Sequence, residues 1–336
     1  MKTYVFGAGA SAHAHYPLAS NLWQSMEEWV LLDNTYRSVV DKVHEPYDDS
    51  KPFEVFLAEL DDRIFHASDS CECKVLESLR NEIQYMAHDY FNSIRGNLAE
   101  LYRLFAQDIL TPQDAVITFN YDVSLDRELC RSGKWSVLTG YGFVIGQPTT
   151  SPSCKLLKLH GSSNWIAQLF GGLQGVGTIS PDEPPLGSRP VIPDPEMIYL
   201  GTDLVDRGFR NGAHFKPSFI MPAANKIFGP HEWEDFWDSL WLQAGQAIAA
   251  SDEVHIIGYS LPEYDNRARD LLLRKMSRET EVSICCRSGT NDLVKLFRDS
   301  GFTNARAAAD GTFEGWLKQT HEFRDSRIQS SLSAEL

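Results

Sequence analysis

The chain has 336 residues, and its 31 Lys and Arg against 46 Asp and Glu give a formal net charge of −15. With 43% hydrophobic and 23% charged residues it has the composition of a globular protein that buries a sizeable core, which excludes disordered, collagen-like and coiled-coil readings. An acidic chain without a Lys/Arg block lacks the electrostatic footprint for a phosphate backbone, so no direct nucleic-acid ligand is expected, and a polyanion would need a local basic pocket.

The apolar run Met1 to Phe6 is too short for a signal peptide, and no stretch approaches the roughly 20 apolar residues of a membrane span. A cytoplasmic protein with no membrane partner is therefore expected. The cysteines at 71, 73, 130, 154, 285 and 286 include no pair at the two-residue spacing that brings thiolates together on zinc. Cys71-Glu72-Cys73 reads as two thiols of a reducing compartment, and His13-Ala14-His15 lacks a third ligand, so no metal is expected.

At about 150 residues per domain the length fits two domains, or one large domain with an insertion. A first strand, Thr3 to Phe6, runs into Gly7-Ala8-Gly9-Ala10-Ser11-Ala12. Residues 21–110 are then helical, with Leu22, Trp23, Met26, Trp29 and Val30, and later Phe53, Phe56, Leu57 and Leu60, at three- and four-residue spacing. His44 to Pro52 is a loop within this block. Strand signals resume at Asp114 to Phe119 and end in Asn120-Tyr121-Asp122, before a helix from Ser124, its expected N-cap, to Cys130. Trp135 to Tyr141 and Cys154 to Leu159 read as strands, the second ending in His160-Gly161-Ser162.

The 165–215 region, rich in Gly and Pro, reads as a loop-rich insertion. A strand at Pro217 to Pro222, a helix at Trp233 to Ala250, a strand at Glu253 to Gly258, a helix at Asn266 to Met276 and a strand at Val282 to Cys285 follow, with a polar tail at 323–336. This alternation predicts an α/β fold, a parallel sheet with helices on both faces. The domain would comprise 1–20 and 111–322, with 21–110 as an inserted all-helical subdomain.

In such a sheet a ligand lies beyond the carboxyl ends of the strands, where four polar clusters fall. Gly7 to Ala12 fits the glycine-rich dinucleotide pattern: Gly7 for the tight turn, Gly9 for close backbone approach, Ala12 for helix packing, and amides with Ser11 for an anion. The same residues also fit a plain strand-to-helix turn. The acidic residue that grips a ribose about 20 residues on in dehydrogenases has no strand end to stand on here, because Glu27 and Glu28 fall in helix. Asn120 and Asp122, at alternate positions, suit one sugar or one water, or else turn and capping chemistry. His160 before Gly161 suits a general base near neutral pH, although a lone His is often structural.

Gly7-Ala8-Gly9-Ala10-Ser11, Thr118-Phe119-Asn120-Tyr121-Asp122, Leu159-His160-Gly161-Ser162 and Ile257-Gly258-Tyr259-Ser260-Leu261-Pro262, in this order, resemble the sirtuin-like family, and within it the divergent bacterial branch of NAD-consuming antiphage effectors. The resemblance implies a Rossmann-like domain with the adenine-side phosphates of NAD over Gly7 to Ser11, and the nicotinamide ribose beside catalytic Asn120, Asp122 and His160. It further implies that Gly258, Tyr259 and Ser260, with Thr118 and Arg287, hold the remainder of NAD. The cysteine-free 165–215 region lacks the zinc module of protein deacylases, and His15 to Ser20 lacks the Phe and Arg of their cofactor loop. Hydrolysis of NAD to nicotinamide and ADP-ribose is thus the leading expectation, with a silent NAD or ADP-ribose-binding module and a deacylase as alternatives. The resemblance also implies a homo-oligomer, or a separately encoded HerA-type ATPase or Argonaute-like partner. Trp23, Trp29, Tyr90 and Phe91 are either its contact surface or core. Lys226 is read as a phosphate ligand or a solvated residue, and Asp265 as a ribose ligand, a helix cap or a solvated residue.

Overall fold

The computed structural model describes residues 1–47, 51–94, 99–137, 139–143, 154–168, 176–179, 197–200, 215–219, 221, 234–308 and 311–320. Six strands form the main sheet: β1 (Lys2–Phe6), β2 (Ala115–Thr118), β3 (Lys155–Lys158), β8 (Glu253–Ile257), β9 (Glu281–Cys285) and β10 (Ala305–Ala307). Their order is β10-β9-β8-β1-β2-β3 and every pairing is parallel. The chain winds outward from β1 in one direction, then returns to β1's other side and winds outward again, as in a Rossmann-like fold. Val5, Val116, Ile117, Leu156, Leu157, Val254 and Ile256 are all buried, as strands covered on both faces require.

One face, that of Tyr4 and Phe6, carries α6 (Glu100–Leu104), its π-helical continuation Phe105–Ile109, and a helix over 313–320. Ring centroids lie 4.8 Å apart for Tyr4–Phe105 and 5.5 Å for both Phe6–Tyr102 and Phe6–Phe313. The opposite face meets α8 (Glu234–Ala249), whose Trp241 ring lies 6.2 Å from Phe119. Beyond α8, α9 (Asn266–Arg274) and α10 (Thr290–Asp299) complete the cover.

Between β1 and β2 the chain builds α2 (Leu22–Asp33), α3 (Arg37–His44), α4 (Phe53–His66) and α5 (Ser70–Ser93) before α6. Met26, Leu57, Ile83 and Met86 are fully buried, and their packing is continuous with that of the sheet. Trp23, Tyr90 and Phe91 are buried there as well and Trp29 packs against them, so these aromatics are core and not a contact surface. Among the described residues no helix is long and apolar enough to cross a membrane.

Four expectations need correction. Trp135 to Tyr141 is not a strand: among its described residues Gly140 N–H donates back to Ser136 O at 2.7 Å in a turn, Gly140 O accepts the Leu156 N–H at 2.7 Å at the edge of β3, and Trp135 and Tyr141 pack on each other with ring centroids 4.8 Å apart. The 165–215 region contains most of a second sheet, β4 (Gly161–Gln168), β5 (Val176–Ile179), β6 (Met197–Leu200) and β7 (Phe215–Phe219), in the order β5-β6-β4-β7. Its other residues, like the 323–336 tail and Lys226, lie outside the described residues. The helix after the first glycines, α1 (Ala8–Ser11), is one turn long, continued by a 3-10 turn at Ala12–Ala14. Ser124 opens α7 (Ser124–Arg131) as its first residue, not its cap, because Asp122 Oδ1 accepts its N–H at 3.0 Å.

At the switch point the turns after β1 and β8 interlock. Gly7 N–H donates to Ile257 O at 3.0 Å and Gly9 N–H to Gly258 O at 2.9 Å. A Cβ on Gly258 would lie 2.2 Å from Ala10 N, and its φ is +66°. A Cβ on Gly7 would lie 2.5 Å from Tyr259 Cα. Gly258→Ala is therefore expected to lower the free energy of unfolding by about 3 kcal/mol or more, combining overpacking with left-handed strain. Gly133, with φ +70° and nothing within 4 Å of its would-be Cβ, provides the control. Its change to Ala should cost roughly 1 kcal/mol, and urea titration of both variants measures the difference.

Candidate functional site

The register of the sheet assembles the site. Phe6 pairs with Thr118 and Ile257, Thr118 with Lys158, and Ile257 with Cys285, so these strands end level. Two residues further on, Ala8, Asn120, His160, Tyr259 and Arg287 emerge along one edge, and all five line a single cavity of about 680 Å³. Of the residues expected from the sequence, Ala8 to Ser11, Asn120, Asp122, His160, Gly258 to Ser260 and Arg287 line it. Gly7 lies beneath the Tyr259 backbone, and Thr118 Oγ1 accepts the Asn120 N–H at 3.1 Å.

Asn120 and Asp122 converge on Ser11. Asn120 Nδ2 donates to Gly7 O and to Ser11 Oγ, both at 2.9 Å, and Ser11 donates its single proton to Asp122 Oδ2 at 2.6 Å. The Tyr102 hydroxyl, 2.8 Å from Ser11 Oγ, must then be the donor of that pair. Thus α6, from the helical block, fixes the first glycine turn to the turn after β2. Burial pushes the Asp122 carboxyl above its usual range, against the opposing pull of Lys158 and of its hydrogen bonds to Ser11 and Ser124. The Tyr102 hydroxyl is held well above the phenol range, first by burial and then by Asp122.

A charged pair unforeseen from the sequence lies underneath. Lys158, fully buried on β3, donates to Asp122 O at 2.6 Å and to Asp126 Oδ2 at 3.0 Å, and Asp126 also accepts the Tyr141 hydroxyl. A buried pair with its hydrogen bonds satisfied is structurally demanding, because loss of one partner typically costs 3–5 kcal/mol. Its signal in the sequence is a lysine inside Leu156-Leu157-Lys158-Leu159, a charge in a strand otherwise buried on both faces.

His160 is 5% exposed. Its Nε2 lies 3.3 Å from Asp265 Oδ2, which also accepts the Tyr259 hydroxyl at 2.7 Å, while Oδ1 accepts Ala268 N–H at 3.4 Å. Asp265 is thus a buried N-cap of α9 and a partner of the imidazole, so the solvated-loop reading of it falls. Phe119, stacked on Tyr259 at 4.1 Å, holds the other side of His160 at 4.9 Å. A carboxylate at Nε2 favours the tautomer that keeps its proton there, and a His so oriented suits proton transfer.

At the far end of the edge, exposed Arg287 has no ion-pair partner among the described residues, and neither has the exposed Ser260 hydroxyl a hydrogen-bond partner. Both are available to an anion. The glycine turn is less so: the Gly9 amide is committed to Gly258 O and the Ala10 amide to Gly7 O. Among the described residues no group of three His, Cys, Asp or Glu converges as a metal site.

No family model matches the chain, and no curated protein matches it in sequence. Among solved structures, a Sir2 homologue, a mutant in complex with 2'-O-acetyl ADP ribose, is similar at 13% identity and a TM-score of 0.41, covering 89% of this chain and 92% of that one.

The raised Asp122 value fixes the sign of a pH effect. The folded state holds the proton to higher pH than the unfolded chain, so Asp122 lowers stability progressively as pH rises from the unfolded value near 3.8 through the folded one. Urea unfolding of wild type and Asp122→Asn at pH 4 to 7 should show the difference moving in favour of the Asn variant as pH rises.

Proposed function

We propose that the chain binds NAD along the strand-end cavity and cleaves its nicotinamide–ribose bond, releasing nicotinamide and ADP-ribose. The observation that carries this reading is the order of groups along the edge: Arg287 after β9, Ser260 after β8, the glycine turn after β1, Asn120 after β2 and His160 after β3. Four strand spacings separate the first from the last, about 19 Å at 4.8 Å each, the reach of an extended dinucleotide. Arg287 and Ser260 suit the phosphates and adenosine, and the carboxylate-backed His160 suits the nicotinamide ribose.

Cleavage breaks the C1′–N bond, and the bonding pair leaves with the ring nitrogen, so the cationic pyridinium departs as neutral nicotinamide. The ribose passes through an oxocarbenium-like state, which the carboxylates at that end of the cavity stabilise electrostatically. Water adds to C1′, and His160 accepts its proton. The balance is NAD and water to nicotinamide, ADP-ribose and one proton. In a cell such turnover drains NAD, the action of an antiphage effector that is held inactive until triggered, in homo-oligomers or beside a separately encoded ATPase.

One observation favours a second reading, a silent NAD- or ADP-ribose-binding module: both Asn120 amide protons and both Asp122 oxygens are engaged within the protein. Nicotinamide release by the purified chain separates the two. Under the hydrolase reading, His160→Ala lowers release at least about 100-fold while ADP-ribose binding persists, and Arg287→Ala weakens ADP-ribose binding about tenfold. Tight binding with no release at any protein concentration would leave the silent module in place.

A further inference from the structure

The cavity has a wall that the strand ends do not supply. Glu54, on α4 of the helical block, lines it together with Phe91 of α5. Its Oε1 accepts the Tyr264 hydroxyl at 2.9 Å, which ties α4 to the turn that ends at Asp265. Its other oxygen, Oε2, is shielded from solvent and has no hydrogen-bond partner among the described residues. A buried carboxylate oxygen left without a donor is costly, and at a cavity wall a small turn of the side chain brings it within reach of a donor on a ligand that fills the cavity.

The neighbourhood shows which end of a ligand Glu54 would meet. Tyr264 adjoins Asp265, which holds His160. The Tyr121 hydroxyl lies in the field of Asp265, Tyr264 and Glu54, and burial first, then these groups, hold it well above the phenol range against the pull of Arg80, which is itself paired with Asp61. Glu54 therefore belongs to the His160 end, opposite Arg287. That end carries carboxylates and lacks a free cation among the described residues, so it suits a positively charged group with an N–H to donate.

We propose that Glu54 is the specificity-determining residue for the leaving-group end of the ligand, its Oε2 accepting an N–H from the carboxamide of a cationic pyridinium ring. This rests on the reading of the cavity as an NAD site. It assigns the helical block a direct part in recognition: the block selects an amide-bearing ring and rejects a carboxylate-bearing one, whose anion would face Glu54 without a proton between them. Removing one hydrogen bond to a charged group changes affinity about tenfold to 100-fold, and like-charge juxtaposition acts in the same direction.

The test measures binding of three probes, NAD, its nicotinic acid analogue and ADP-ribose, to full chains in which His160→Ala has stopped turnover, wild type otherwise or carrying Glu54→Gln or Tyr264→Phe, by calorimetry. The chain carrying His160→Ala alone should prefer NAD over the acid analogue by at least about tenfold. Glu54→Gln should lose most of that preference, by weaker NAD binding and stronger binding of the analogue, with ADP-ribose affinity unchanged. Tyr264→Phe, which keeps the carboxylate but releases its tether, should lose part of it. Unchanged ADP-ribose affinity also shows that each variant is folded. If the chain carrying His160→Ala alone binds both NAD and ADP-ribose but added Glu54→Gln leaves its discrimination unchanged, the assignment of Glu54 is overturned. If it binds neither, the reading of the cavity as an NAD site fails and takes this one with it.

Discussion

The contact on which the rest depends is between two backbone turns. Where the strand order reverses, the turn after β1 and the turn after β8 approach so closely that neither tolerates a side chain at the contact: Gly258 would place a Cβ 2.2 Å from Ala10 N, and Gly7 one 2.5 Å from Tyr259 Cα. Hydrogen bonds from Gly7 and Gly9 across this seam fix its height. Asn120 then binds Gly7 O, Ser11 links Asn120 to Asp122, and Lys158 holds the carbonyl of Asp122. The floor of the cavity is one connected polar network that starts from that seam, and a shift in the seam would propagate through every member.

This network also divides the polar groups of the cavity into two kinds. Those that look most like ligand-binding groups in the sequence, the glycine amides with Asn120 and Asp122, have their hydrogen bonds directed into the protein. Those without a hydrogen-bond or ion-pair partner among the described residues, Arg287, the Ser260 hydroxyl and Glu54 Oε2, stand at the two ends. On the proposed reading an acidic protein accommodates a dinucleotide because Arg287 stands at one end of the cavity while Glu54 and Asp265 stand at the other. Distribution along the cavity, and not the net charge of −15, governs the match.

Much of this was legible in the sequence, for physical reasons. Strands buried on both faces are short apolar runs, and their ends were marked by Gly7, Asn120, His160 and Gly258, so the edge of the sheet could be read without knowing the register. The register then supplied what spacing cannot, the level at which Ala8, Asn120, His160, Tyr259 and Arg287 meet. Trp135 to Tyr141 misled because an apolar turn at the edge of a strand has the same composition as a strand. The second sheet was hidden because its strands are short and separated by Gly- and Pro-rich stretches. Lys158 and Asp126 were overlooked because partners more than thirty residues apart have no sequence periodicity, although a lysine in a buried strand was itself a sign. Glu54 could not be read at all, since nothing in an amphipathic helix distinguishes the one carboxylate that faces a cavity from those that face water.

The helical block therefore reaches the site by three routes. Through α6 it is part of the sheet's cover, with Phe105 on Tyr4 and the Tyr102 hydroxyl on Ser11, so it cannot separate from β1 without breaking the network beneath the cavity. Through α5 it packs Phe91 on Tyr121, ring centroids 5.4 Å apart, and donates Asn92 Nδ2 to Ser163 O at 3.0 Å, and through α4 its Glu54 accepts the Tyr264 hydroxyl. The wall opposite the strand ends is thus tied down at both of its helices, and α4, α5, the sheet edge and the turn before α9 form one packed unit. A partner acting on the outer helices would therefore reach the Glu54 wall and the polar network beneath the cavity together, because the same block carries Glu54, Phe91 and Tyr102.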